Sequence, residues 1–235
     1  MFLMAQLKPI QLESVQLENV SLQVEGLDPV LTSVDLDVPM DKTVVVKATN
    51  PMHAVHLLEI LAGRREPQKG KVKWQNSVDS SNELPSECFF GILSSYFESE
   101  RPFPETEISK IFAATGASQQ VIDSAVEHFC LQEKLNFAFK KLSYEQQKLI
   151  MLAVATLRMP QMLVLEDPAV GLSEECFLDF LDWIQLWQRQ GHLRHIFLTN
   201  NHPTAARHLD AISMFVDEGL VYVEDTPLFK KVVQF

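Results

Sequence analysis

Residues 142–173 read LSYEQQKLIMLAVATLRMPQMLVLEDPAVGLS. The Leu-Ser-x-x-Gln start opens a helix, with Ser143 well suited to cap its first free N–H groups. An apolar helix follows, then Met159-Pro160, a short apolar strand, the adjacent carboxylates Glu166 and Asp167, and Pro168. Helix, buried strand and an acid pair at the strand's end describe one unit of an α/β fold.

The bulk chain limits what surrounds this unit. At 235 residues, 46% apolar and 22% charged, it has the composition of a globular protein, and such a chain removes roughly 70% or more of its unfolded surface on folding. The net charge of −11 argues against nucleic acid, whose phosphates need clustered Lys and Arg, and disfavours an acidic partner. Cys88, Cys130 and Cys176 are odd in number and form no CxxC pair, which points to reduced thiols, a cytosolic setting and no metal site. The N-terminal MFLMAQL lacks a basic region and is too short to span a membrane, and no later apolar run reaches the required length. Any membrane contact is therefore expected through a partner.

Strands and helices alternate along the rest. Residues 17–24 and 30–38 alternate apolar with polar, as half-buried antiparallel strands do, around a Gly26–Pro29 turn. Val44-Val45-Val46 is a run typical of a strand buried on both faces, and 55–62 follows at helical spacing, stopped by Gly63. Residues 76–87 read as a polar loop, and 88–93 as a strand. Helices are predicted over 105–115, 118–130 and 174–190, and strands at 162–165 and 195–199. The sum is an α/β unit with a parallel sheet, an N-terminal antiparallel sheet and a helical insertion around 96–143.

This layout and its motifs resemble the ATP-binding-cassette (ABC) ATPase, in which LSGGQ precedes a helix, the Walker B strand and the D-loop. The resemblance covers nearly the whole chain. It implies a P-loop NTPase-like fold with a mixed sheet core, a single domain over 1–235 with core 1–95 and 144–235, and a helical subdomain at about 96–143. A working member runs from its third strand into GxxGxGKST, whose backbone N–H groups ring the phosphates while Lys neutralises them and Ser/Thr holds Mg²⁺. Leu57-Leu58, Gly63 and Gly70-Lys71-Val72 anchor the comparison and set Ala48-Thr49-Asn50-Pro51-Met52-His53-Ala54-Val55-His56 against that loop. Pro51 deletes a donor, His53 replaces a glycine, Ala54 removes the cation and Val55 offers the metal no oxygen. The expectation is a loop of retained length and lost chemistry.

The resemblance implies further replacements. Ser95 stands at the Q-loop position, Ser143-Tyr144-Glu145-Gln146 at the signature, and Ser173 at the D-loop aspartate. Glu166-Asp167 inverts the Walker B pair, Asn200 replaces the switch histidine, and no aromatic for adenine lies near Val24. Because each lost electrostatic contributor costs roughly 10²–10³ in rate, turnover by this chain alone is not expected. The implied function is a degenerate, pseudo-ATPase subunit, a cytoplasmic scaffold or regulator peripheral to a membrane. It would bind a membrane permease and pair with itself or with a competent ABC ATPase. No cofactor is expected. The alternative is a weakly active ATPase that uses ATP with Mg²⁺ in a remodelled loop.

Plainer roles stand beside these. Ser143 serves as a helix cap whatever its ancestry. Glu166 and Asp167 are expected to replace nucleotide phosphate as the partners of His53, His56 and the helix N-terminus. A metal site from His53, His56 and Asp167 lacks a fixed further ligand, and Lys47 is a strand end rather than a displaced phosphate lysine. On helix 174–190, Phe177, Phe180, Leu181 and Ile184 form the core face, with Leu178, Trp183 and Leu186 off it as extra core or an exposed patch. Tyr96, Phe97 and Phe103 raise the same alternatives.

Overall fold

The computed structural model describes residues 12–26, 29–39, 41–76, 90–93, 104–157, 160–199, 203–209 and 211–223. The expectations placed on Ser95, Asn200, Cys88, the 77–87 loop, Tyr96, Phe97 and Phe103 lie outside them.

A six-stranded sheet forms the centre. Its order is β5 (Phe90–Leu93), β6 (Met162–Glu166), β7 (His195–Thr199), β3 (Lys42–Ala48), β8 (Ile212–Asp217) and β9 (Leu220–Val223). Every pairing is parallel except β8 with β9. The central strands are apolar at successive positions because both of their faces are covered. Val44 and Val46 of β3 join Met162 and Val164 of β6 in one core, whereas Val45, Leu163 and Leu165 belong to the other.

The first core is roofed by a three-stranded antiparallel sheet, β2 (Leu31–Pro39), β1 (Leu12–Leu22) and β4 (Lys69–Asn76), together with α1 (Pro51–Leu61). Here the alternating pattern is legible in the register. Leu17 lies opposite Leu36 and Val72 on the buried face, while Gln16 lies opposite Asp37 and Lys73 on the other. Gly70 is needed where β4 crosses β1: it has φ +83, and a Cβ there would sit 2.3 Å from the Asn19 carbonyl oxygen. The Trp74 indole N–H donates to the Leu61 carbonyl (3.0 Å), tying the end of α1 to this sheet.

The second core gathers α2 (Ile108–Ala113), α3 (Gln119–His128), α4 (Tyr144–Leu157), α5 (Glu174–Arg189) and α6 (Pro203–His208) over the opposite face. The architecture is thus the expected α/β one, with a mixed sheet, an antiparallel sheet and a helical region. Sequence periodicity misses β4, β8, β9 and α6. Strand β4, KGKVKWQN, offers only two apolar residues to the core, too few to announce a strand.

Trp183 decides between the two alternatives for α5 in favour of extra core. It is 1% exposed, lies between Phe129 and Trp187 at ring-centroid distances of 5.4 and 5.1 Å, and donates from Nε1 to Thr156 Oγ1 (2.9 Å). Leu178 packs partly against the same core, and only Leu186 is exposed. Two large indoles need more than one helical stripe to be enclosed, so the buried face widens around them. Trp183→Ala is expected to lower the unfolding free energy by about 3–5 kcal/mol, and Leu186→Ala by less than about 0.5 kcal/mol, in urea denaturation.

Candidate functional site

The parallel strands end together. Register aligns Val46 of β3 with Thr199 of β7, and Thr199 with Glu166 of β6, so these three close one row at the carboxyl edge of the sheet. Such an edge is where open α/β sheets form their ligand crevice, because the strand ends are the first polar ground beyond a two-sided apolar core. Lys47 and Ala48 are the last residues of β3, and α1 starts just beyond.

The start of α1 overturns the expected loop. Only Thr49 and Asn50 separate β3 from the helix, which begins at Pro51 and not at residue 55. The local cause is an Asn-Pro pair. Proline disfavours helical backbone in the residue before it, and Asn50 is extended at φ −101 and ψ 113; proline also fits the first helical position, where no N–H is needed. Asn50 then takes up the free donors. The Met52 N–H donates to its Oδ1 (3.1 Å) and the His53 N–H to its carbonyl (2.9 Å), while the Thr49 N–H reaches the Val216 carbonyl at 3.4 Å. Pro51, His53, Ala54, Val55 and His56 therefore stand in the first two turns of a helix. Thr49, the hydroxyl in this segment, donates to Asp217 Oδ1 (2.8 Å).

Contrary to the expectation, neither histidine is hydrogen-bonded to the acid pair among the described residues. His56 is buried and its Nδ1 lies 2.9 Å from Glu59 Oε2, one turn along the same helix. Glu59 also accepts from Arg65 Nε at 2.6 Å. Partial burial alone would raise the Glu59 carboxyl, but the hydrogen bonds and charges of His56 and Arg65 outweigh it and hold the group below its ordinary range. His53 is 4% exposed, and its Nε2 has no hydrogen-bond partner among the described residues. Residues three apart on a helix are neighbours, so the i,i+3 carboxylate reaches His56 before anything across the crevice does. Among the described residues no three His, Cys, Asp or Glu side chains come together as a metal site.

Glu166 and Asp167 remain side by side at the end of β6. The Asp167 N–H donates to Thr199 Oγ1 (2.9 Å), and Asp167 adopts a left-handed φ of 41°. Burial, with the charge of Glu166 added, pushes the Asp167 carboxyl up, opposed by Lys148 of α4. Lys148 is only 5% exposed, and sequence reading misses it. Its signal is the Gln147-Lys148 pair on a helix that is apolar from Leu149 to Val154. Gln147 is also buried and donates from Nε2 to the Phe139 and Leu142 carbonyls (3.1 and 3.0 Å), securing the turn into α4.

At the signature positions, Ser143 and Gln146 form a reciprocal cap. Ser143 Oγ accepts from the Gln146 N–H (3.3 Å), and Gln146 Oε1 accepts from the Ser143 N–H (3.2 Å). The residues between them lean on the turn after β6. The Tyr144 ring lies over Gly171, where an added Cβ would fall 2.0 Å from its Cε1. Glu145 Oε1 accepts from the Ser173 N–H (2.6 Å) at the start of α5, whose N-cap is Ser173. That backbone hydrogen bond, with those from the Ser173 and Cys176 side chains, lowers the Glu145 carboxyl against a small opposing effect of burial. Tyr144 and Glu145 are thus joined to their own chain.

Parallel strand ends, a capped helix after β3 and a helix packed on the post-β6 turn are the framework of a P-loop NTPase-like α/β domain. The ABC transporter family profile matches residues 31–170, and the chain belongs to that family. It is 24% identical over 218 residues to a Bacillus cereus protein named an ABC transporter ATP-binding protein, covering 88% of this chain and 38% of that one. It is 23% identical over 148 residues to the zinc import ATP-binding protein ZnuC of Pseudomonas putida, covering 63% and 54%. The chain thus spans well under two thirds of the length of these relatives. Its fold superposes at a TM-score of 0.71 and 16% identity on a dimeric ATP-binding cassette bound to ADP and phosphate, covering 92% of this chain and 100% of that one.

Glu145 and Asp167, displaced in opposite directions, predict opposite pH behaviour. Glu145 titrates below 4.5 in the folded chain, so its contribution is full above that pH and is lost as pH falls through its folded value. Asp167 titrates above 3.8 when folded, so its charge costs stability at neutral pH and the cost disappears in acid. Urea midpoints at pH 7 are expected to fall for Glu145→Gln and rise for Asp167→Asn, an exchange that the left-handed backbone tolerates. Both differences should shrink toward zero as the pH is taken down through 4.5 and below.

Proposed function

We propose that this chain is a cassette subunit that neither holds nor hydrolyses nucleotide and serves an ABC transporter-like complex as a scaffold or regulator. The observation that supports this most directly is the start of α1. A phosphate-binding loop needs several consecutive backbone N–H groups aimed at one point, with a cation and a hydroxyl beside them. Here Pro51 has no N–H, Asn50 takes those of Met52 and His53, Ala54 stands at the cation position, and Thr49 is engaged by Asp217. A triphosphate would have to displace these bonds and would gain no positive side chain from the segment.

The same reading supplies the subunit's surroundings. The subunit reaches the membrane through a permease partner, on its cytoplasmic side, a reading that the ABC transporter family match supports; among the described residues no helix is long and apolar enough to cross a membrane. The ATP-binding names of the relatives and the dimeric cassette among similar structures support pairing with a second cassette, either another copy or a competent ATPase. At its signature the Tyr144 ring and the Glu145 carboxylate are engaged by Gly171 and Ser173 of this chain, so the segment would not offer a phosphate held by such a partner an open backbone surface.

The surviving acids Glu166 and Asp167 favour one competing reading, a weak ATPase with a remodelled site. Isothermal titration of the purified chain with Mg·ATP separates the two. No saturable heat is expected up to about 1 mM nucleotide; binding in the micromolar range, about 8 kcal/mol, would replace the scaffold with the enzyme.

A further inference from the structure

Net charge hides a local reversal. Arg64, Arg65, Lys69, Lys71 and Lys73, five of the chain's 20 basic residues, fall between positions 64 and 73. Arg65 is paired with Glu59, and Lys73 with Glu18. Arg64, Lys69 and Lys71 are exposed and have no ion pair among the described residues. The expectation that an acidic partner is disfavoured rests on the total charge, from which this strip departs.

The strip lies on an edge. Strand β4 ends the antiparallel sheet, and among the described residues no strand lies on its outer side. Register separates its two faces. Lys71 is opposite Glu18 and Lys73 opposite Gln16 on the solvent face, while Val72 is opposite Leu17 and Trp74 opposite Val15 on the core face. Leu17 and Val15 are 2% and 0% exposed, yet Val72 and Trp74 remain only half-buried. The apolar row thus thins out at the edge, where a further strand would complete it.

Charge selects among possible occupants. Asp37 lies opposite Gln16 on β2, and with Asp35 it gives the far side of the same solvent face an acidic row. The acidic and basic rows are about 10 Å apart, two strand spacings. An anionic membrane laid flat on this face would meet both rows and gain little. An extended segment running along β4 meets the basic row alone. A second copy fits poorly: β4 against β4 opposes like charges, and β2 is held at its start by the Thr32 N–H to the Gly219 carbonyl (2.7 Å).

We propose that the outer edge of β4 receives an extended acidic segment of a partner protein by strand addition. Its carboxylates alternate with apolar side chains, the former facing Lys69, Lys71 and Lys73 and the latter extending the row of Val72 and Trp74. Main-chain hydrogen bonds to the edge supply affinity, and the two-residue alternation supplies selectivity. The local positive field on an otherwise acidic molecule directs such a segment to this edge.

The test uses the purified full chain and a fluorescein-labelled peptide alternating glutamate with valine, followed by fluorescence anisotropy at low salt. Saturable binding below about 100 µM is expected, weakened about 10-fold or more by Lys71→Glu and by Lys69→Glu and unaffected by Asp37→Asn. Hydrogen exchange should show residues 69–75 gaining protection when the peptide is added. Absence of binding, equal binding of a peptide with the same residues in two blocks, or binding without protection of β4 would overturn the proposal. So would a Lys71-dependent association that is tighter on phosphatidylserine vesicles than on the peptide. Thermal unfolding of each variant establishes that it is folded before its binding is compared.

Discussion

Strands β3 and β6 bury both of their faces, and that constraint organises the molecule. Each successive Val or Leu along them points into a different core, so two separate layers are required to cover one sheet. The antiparallel sheet and α1 supply one, and α2 to α6 supply the other. Because neither face can tolerate an unpaired polar group, polar chemistry is driven to the strand ends, where Glu166, Asp167 and Thr199 collect.

At those ends the deciding resource is the free backbone N–H group. Every helix start exposes several, and a ligand or the chain itself can satisfy them. This chain uses its own residues at the starts of three helices. Asn50 serves α1, Ser143 and Gln146 cap α4, and Ser173 with Glu145 serves α5. The same arrangement joins the signature segment to the turn after β6, through the Tyr144 ring over Gly171 as well as the Glu145 carboxylate. The donors at these helix starts are thus engaged in internal bonds that stabilise the fold.

Surface charge follows the sheet rather than the average. On the solvent face of the small sheet, acids occupy β2 and bases occupy β4, with Gln16 and Glu18 between them. Lys73 reaches across to Glu18, a contact within the sheet, while Lys69 and Lys71 project into solvent. A net charge of −11 is a sum over all faces, and binding responds to the field at one of them.

Local pattern by itself determined the α/β class, the two-sided Val44–Val46 strand, the carboxylates at the end of β6 and the Ser173 cap of α5, because each depends on neighbours within one or two turns. The Asn50-Pro51 start of α1 is equally local, an Asn cap followed by Pro at the first helical position. Only the tertiary structure decided that Trp183 is enclosed, that His56 turns to Glu59, that buried Lys148 lies by Asp167, and that Glu145 reaches Ser173. These depend on which elements are brought against one another. Strand β4 belongs with them: two apolar residues among lysines do not mark a strand until β1 pairs with it, and only then do its charges form a row.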